Sequence, residues 1–340
     1  MKGMIVAISE LNGRVASALV EDGQLIDFVI APMSEDEPIP GAIYRGVVGR
    51  ALKGLNGVFV DLDGKKKGYL KLSKGLTPGS TILVQVTTAS EDGKAPSVTQ
   101  KIIFKSKFAH VTPFSPGVNI SRKIKDEEVR GNLRIISEEV IGDNPDFGLI
   151  LRSSCVDTDE HEITSDVENT WQLAHLVMQD LTGKPELLLD GIVPSDYAWR
   201  AWPGLKPSNI ISGEHAFDNA GIYEQVEALS QPYIKLGEGA SMYIEATKAM
   251  VTVDVNSIGG VSSAVNINMK AAQLLPKELR LRGLGGQIVI DFVPMPKNNR
   301  RKIDLVLAKA FKNDPIESSL VGWTQMGHFE LQRKRERIQL

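Results

Sequence analysis

The sequence predicts a multi-subdomain α/β protein, and three observations carry that prediction. Beyond residue 241, hydrophobic strand-like runs alternate with helical stretches, the order of a layered α/β domain. Between residues 41 and 107, short strands separated by glycine-rich turns suit a small barrel such as an OB-fold. The 340 residues allow about two to three domains.

In chain order, "MIVAIS", "RVASALVED" and "QLIDFVI" read as strands joined at Asn12-Gly13 and Asp22-Gly23. These dipeptides suit tight hairpins because both central residues tolerate positive φ. "APMSEDEPIP" (31–40) reads as a linker. "AIYRGVVGRAL", "GVFVDLDG", "KGYLKL", "STILVQVTTA" and "PSVTQKIIF" are the barrel strands. A polar helix follows at 126–141, then an apolar strand at 147–154. The next helix, at 165–182, has Leu173, Leu176, Val177 and Leu181 at helical spacing. In the less patterned 185–240, "PELLLDG" suits a strand and "AFDNAGIYEQVEAL" a helix. "SMYIEAT" and "MVTVDVNS" form a hairpin, followed by a helix at 262–282 that contains Pro276, a residue that can kink it. Strand "QIVIDFV", helix 297–313, strand "SSLVGWTQ" and a basic tail complete the pattern.

Composition narrows the function classes. The hydrophobic share of 42%, the charged share of 24% and the net charge of −3 are those of an ordinary globular protein. Any basic surface must therefore be local. One cysteine, Cys155, precludes an intrachain disulfide and a zinc ribbon within one chain, and fits a reducing compartment. Ser9 and Glu10 interrupt the first apolar run before a signal-peptide core forms, and nowhere do 18 consecutive apolar residues occur. The expectation is a soluble, cytoplasmic protein without membrane partners.

Two strands expected to be buried each carry one aspartate, Asp254 in "VTVDVNS" and Asp291 in "QIVIDFV". They are 37 residues apart, room for a crossover helix that returns the chain to a neighbouring strand. Two carboxylates brought together repel unless they share a proton or bind a hard cation, and Mg²⁺ needs few carboxylates because it keeps several waters. Asn256 shares the face of Asp254. Arg280 and Arg282 precede the second strand, and "KNNRRK", with Arg300 and Arg301, opens the next helix. Metal, carboxylates and cations together suit phosphodiester chemistry. Taken singly, such an aspartate is more often a helix cap or a satisfied acceptor.

"AMVTVDVNS", "ELRLRGLGGQIVIDFVPM" and "GHFELQRKR", in that order, resemble the catalytic region of the ribonuclease E/G family. Upstream, "GAIYRGVVGRALKGLNGVFVDLDGKKKGYLKL" resembles that family's OB-type module, and "NISRKI" with "FGLILRSS" its 5′-sensor. The resemblance implies an RNase H-like subdomain (1–36 and part of 185–240), interrupted by the OB-type module (37–107) and the 5′-sensor region (108–184). A DNase I-like catalytic subdomain (241–340) would follow. It implies Mg²⁺, with Mn²⁺ as a substitute, held by Asp254 and Asp291 with Asn256 assisting. It also implies RNA contacts from Phe59, Tyr69 and Lys94, whose aromatic rings stack on unpaired bases; Phe59 could equally be barrel core. Arg152 and Ser153 match an arginine–threonine pair that binds a 5′-monophosphate, with Arg122 and Lys123 beside it; serine keeps the hydroxyl but loosens the rotamer.

Longer family members carry a zinc-linking cysteine pair after the "RKR" segment and a small further domain; neither is found up to Leu340. No zinc is expected, and any homodimer would use another surface. Gln325 stands where some relatives have arginine. The implied function is a Mg²⁺-dependent endoribonuclease that cuts single-stranded RNA to leave 5′-phosphates, in rRNA or tRNA maturation or mRNA decay. The alternative is an RNA-binding scaffold with weak or lost cleavage; a DNA nuclease fits less well.

Overall fold

The computed structural model describes residues 3–340 other than 35, 52, 53, 55, 72–74, 91, 92, 143–145, 192, 203, 204, 206, 238 and 258–263. The chain forms two compact units, Met1–Ala31 with Ser208–Leu340, and Pro32–Pro207. Parts of the "EDGKAP" turn (91, 92) and of the expected helix 262–282 (262, 263) lie outside the described residues.

The first unit begins with the antiparallel meander β1 (Met4–Leu11), β2 (Arg14–Glu21) and β3 (Gln24–Ile30). Asn12, Gly13, Asp22 and Gly23 all have positive φ, as the hairpin dipeptides require.

The second unit opens with a closed barrel of β4 (Ile43–Ala51), β5 (Gly57–Asp61), β6 (Lys67–Lys71), β7 (Thr81–Val86) and β8 (Ser97–Thr99). The circuit runs β4-β5-β6-β8-β7 and back to β4, with only β6–β8 parallel, an OB-type arrangement. Alternation puts Val58, Val60, Leu70 and Val84 inside. A second sheet follows, from β9 (Phe104–Lys105), β10 (Ala109–Pro113), β11 (Gly117–Ile120) and β12 (Phe147–Leu151), in the order β11-β12-β10-β9. Helices α1 (Glu127–Ile141) and α2 (Glu160–Gln179), each capped by an aspartate (Asp126, Asp159), share its core. The anticipated helix at 165–182 therefore starts five residues earlier, at its cap. Cys155 lies in this core, where burial pushes its thiol up to about 11.

Strand β13 (Glu186–Leu189) pairs with β4, and buried Arg45 of β4 bridges Asp180 and Glu186. Helix α3 (Pro194–Ala201) follows within the same unit. The sequence reading assigned part of 185–240 to the subdomain of the N-terminal strands; in the structure the unit boundary within this stretch falls after Pro207, with β13 added to the barrel strand.

Back in the first unit, β14 (Ile210–Ser212) runs parallel beside β1, and α4 (Ala216–Asn219) and α5 (Tyr223–Glu227) cover that sheet, with Phe217 against Phe28. The final sheet contains β15 (Tyr233–Gly237), β16 (Ala240–Ala246), β17 (Val251–Ser257), β18 (Gly286–Asp291), β19 (Ser318–Trp323) and β20 (Phe329–Arg333), in the order β15-β16-β17-β18-β20-β19. Helix α6 (Ala264–Leu281), which continues through Pro276, and α7 (Arg300–Lys312) supply the helical side of its core. Strand β20 lies in what the sequence read as a basic tail. Phe329, Leu331 and Arg333 alternate into the core, where the Arg333 guanidinium pairs with Asp314 and donates to Ser318 Oγ.

Candidate active site

Val251, Val253 and Val255 of β17 and Ile288 and Ile290 of β18 face the helices. Their alternating neighbours Thr252, Asp254 and Asn256, and Gln287 and Asp291, point to the other, open face. The sequence reading expected these strands to be buried. One face is open, so Asp254 and Asp291 are exposed and need no buried partner to offset desolvation.

The crossover through α6 brings the two aspartates together as sequence spacing anticipated. Asp254 and Asp291 are direct partners in the parallel β17–β18 ladder, so both carboxylates rise side by side from one face. Asn256 donates from Nδ2 to Oδ2 of Asp254 at 2.8 Å. Beyond Asp291, the His328 imidazole Nε2 is 3.9 Å from Asp291 Oδ1. The chain leaving Asp291 is pinned by fully buried Asn268, whose amide donates to the Val293 carbonyl and accepts from the Val293 N–H.

This donor set fits a hard divalent cation. It offers two in-register carboxylates and an amide oxygen on one solvent-facing surface, with one Asp254 oxygen already fixed by Asn256. Among the described residues no cluster of three or more His, Cys, Asp or Glu is positioned to hold a metal. Such a cation would therefore depend heavily on water or phosphate oxygens.

The arginine candidates divide. Arg300 lies over the Trp323 ring at 4.5 Å, and its Nη2 is near Gly327, one residue before His328. Arg301 is exposed at the start of α7. Arg280 is engaged elsewhere, by Asp27, Asp314 and the Ile26 carbonyl, and Arg282 is buried against Glu278. Both guanidinium groups are taken up in ion pairs, Arg280 tying α6 to β3 and to the chain after α7, and Arg282 closing locally on Glu278.

On the barrel, Phe59 and Tyr69 are cross-strand partners with ring centroids 5.9 Å apart. Val58 and Val60 point inward, so Phe59 points outward with Tyr69 and is not barrel core. A Cβ on Gly57 would come within 2.5 Å of the Tyr69 ring, so the ring position requires glycine there. Lys94 is exposed just before β8, the strand that pairs with Tyr69.

In the region of the expected 5′-sensor, Arg152 donates from Nη1 to the carbonyls of Ser106, Lys107 and Arg200. Ser153 begins the short 3₁₀ turn that follows. Arg122 lines a separate cavity with Arg130, Arg134 and Glu138, and Arg152 is not in its wall. Lys123 lies beside Arg122 in sequence and has its N–H on Ser121 Oγ.

Sequence reasoning missed His328 and Asn268. The signal for Asn268 was a polar residue inside the apolar stripe of α6, beside Ile267, Ala271 and Ala272. His328 stood within the segment "GHFELQRKR" but was not singled out, because β20, which follows it directly, was not recognised.

The sequence profile of the Ribonuclease E/G family matches residues 104–200 and 204–336. The chain is 27% identical to Ribonuclease E of Synechocystis sp., over 97% of this chain and 56% of that protein. It is 26% identical to Ribonuclease G of Haemophilus influenzae, over 95% of this chain and 78% of that protein. It is 24% identical to Ribonuclease G of Escherichia coli, over 98% and 80% respectively. The chain thus spans little more than half of the first of these relatives and about four-fifths of the other two. No described helix is long and apolar enough to cross a membrane.

Proposed function

The chain belongs to the ribonuclease E/G family, and on that premise we propose that it is a Mg²⁺-dependent endoribonuclease that hydrolyses single-stranded RNA and leaves 5′-phosphate ends. The observation that carries the reading is the direct pairing of Asp254 with Asp291 on an open sheet face. Asp254 and Asp291 would hold the cation, with the Asn256 amide oxygen beside them. When bound, Mg²⁺ supplies charge neutralisation at the phosphate and a more acidic water.

The chain's own groups do the positioning. Asn256 fixes one oxygen of Asp254 and so orients the carboxylate. Asn268 holds the chain as it leaves Asp291, which sets that side chain's root. Arg300, near the turn that carries His328, and exposed Arg301 offer positive charge to the phosphate backbone. On the barrel, Phe59 and Tyr69 offer outward rings for unpaired bases, with Lys94 as a cation for the strand.

A preference for 5′-monophosphorylated ends belongs to the proposal and rests on Arg152 and Ser153. Part of the Arg152 guanidinium already serves backbone carbonyls, so its remaining N–H groups would have to meet the phosphate. Maturation of rRNA or tRNA and decay of mRNA are the processes this activity would serve. The single buried cysteine fits a cytoplasmic setting. The second reading is an RNA-binding scaffold with little cleavage, favoured by a donor set of only two carboxylates among the described residues.

The test is incubation with a short single-stranded RNA carrying either a 5′-monophosphate or a 5′-triphosphate, in Mg²⁺, in Mn²⁺ and in EDTA, with the product ends identified. Metal-dependent products bearing 5′-phosphates are expected, faster from the monophosphate. Equal rates would remove the 5′-sensor alone. Binding without cleavage in either metal would establish the scaffold.

A further inference from the structure

The open face of the β15–β20 sheet carries two exposed aromatic rings in line with the carboxylates. Tyr233 pairs with Tyr243, Tyr243 with Asp254, and Asp254 with Asp291, so all four side chains lie in one row across four consecutive strands. From this row we propose that Tyr243, braced by Tyr233, is a stacking platform for the unpaired nucleobase adjoining the phosphate held at Asp254 and Asp291. The proposal deepens the endoribonuclease reading and rests on it.

Three features support the assignment. The first is reach. Neighbouring strands are about 4.8 Å apart, so Tyr243 stands one strand from Asp254, a separation comparable with that between a phosphate and the base of its own nucleotide. A phosphate over the carboxylate pair therefore brings an adjoining base over this ring rather than over bare sheet.

The second is exposure. Tyr233 is 49% and Tyr243 37% exposed, although each ring is large and mostly apolar. The rings meet edge to face, with centroids 5.4 Å apart. That contact fixes their orientation while covering at most one face of one ring, and a free face is what a base needs. Stacking of this kind is tolerant of sequence, since every base has a π-face.

The third is charge. Exposed Lys235 lies on the same face, in the next row with Ser241 and Asn256. A strand of RNA crossing the tyrosines thus has a cation beside it for its backbone, on a surface whose carboxylates lie at the reacting end.

A tyrosine pair could instead only stabilise neighbouring strands, as cross-strand aromatic pairs do. That role requires no ligand, and the two can be separated by removing the stacked group from the RNA rather than from the protein. Short single-stranded RNAs with one abasic nucleotide on either side of the cleavage position would be titrated against the full-length Asp291→Asn chain, with and without Tyr243→Leu, in Mg²⁺ by fluorescence anisotropy. One flanking abasic site should weaken binding about 5- to 150-fold, the factor for one stacked base. The same abasic site should cost little once Tyr243 is leucine, and Tyr243→Phe should restore the dependence.

Equal losses with tyrosine and leucine would overturn the platform. Cleavage by the wild-type chain is scored separately. If that chain does not cut while the abasic dependence on Tyr243 persists, the nuclease reading falls and the platform stands. If it cuts and the dependence is missing, the reverse holds. Circular dichroism of Tyr243→Leu and Tyr243→Phe confirms that both chains keep the sheet.

Discussion

Asn256 donates a 2.8 Å hydrogen bond to Asp254 from two residues further along the same strand, on the face that Asp254 shares with Asp291. The bond removes rotational freedom from one carboxylate without neutralising it. Groups that orient a metal ligand typically matter by about 10- to 100-fold. Asn256→Ala should lower kcat/KM for RNA cleavage by that factor. Because Asn256 is exposed, the thermal unfolding midpoint should scarcely move. A large fall in that midpoint would instead make Asn256 a folding residue.

Tyr69 occupies space that a β-carbon at position 57 would claim. Gly57→Ala should displace the ring and weaken binding of single-stranded RNA, approaching the loss of about 5- to 150-fold expected for one stacked base. Tyr69→Leu should reproduce the loss in an anisotropy titration. Full affinity in both variants would remove the Phe59–Tyr69 pair from the RNA-binding surface.

His110, on β10, is lowered to about 4 by burial first, then by the charges of Arg152 and Lys105. Its folded value thus lies below the ordinary 6.5, and between about 6.5 and 4 the unfolded chain binds the extra proton. Stability is therefore retained above that window and lost as the pH falls through it. Urea melts should show falling stability from pH 6.5 toward 4 in the wild type, with a flatter profile in His110→Gln over the same range. Identical profiles would assign the acid sensitivity to other groups.

Asp27, only 5% exposed, accepts from both Arg280 and Arg337. Breaking one side of a buried ion pair leaves the other charge without compensation, at a cost of about 3–5 kcal/mol. Asp27→Asn should destabilise the chain by roughly that amount, read from the denaturant midpoint. A neutral effect would mean that water satisfies the two guanidinium groups.

Much of this architecture was legible because local chemistry and tertiary structure agree. Asn12-Gly13 and Asp22-Gly23 form the hairpins their dipeptides encode, and the strands between Ile43 and Thr99 close the anticipated barrel. Asp254 and Asp291 stood out because an aspartate interrupts each apolar strand, and a crossover of that length returns the chain to the next strand. What failed to show depended on distant partners. Strand β20 looked like a basic tail because Arg333 takes a core position that Asp314 and Ser318, both distant in sequence, make tolerable. Arg280 looked available for phosphate because its partners, Asp27 and Asp314, meet it only once the chain is folded; the partner of Arg282, Glu278, stands four residues before it on the expected helix and was open to a local reading. Strand β13 is separated from the barrel strands by the whole second sheet and its two helices, and nothing local revealed that it pairs with β4.

The central claim is that the paired aspartates form one metal-dependent cleavage centre. It is tested most directly by comparing the wild type with Asp254→Asn, Asp291→Asn and the double variant in Mg²⁺-dependent cleavage of a single-stranded RNA, with unfolding followed in parallel. Each single change should reduce the rate about 100-fold or more, the effect of losing several kcal/mol of charge stabilisation. The double variant should be little worse than either, since the two residues act as a unit. Stability should hold or rise, because both carboxylates are exposed and adjacent. Full Mg²⁺-dependent cleavage by Asp291→Asn would contradict the account.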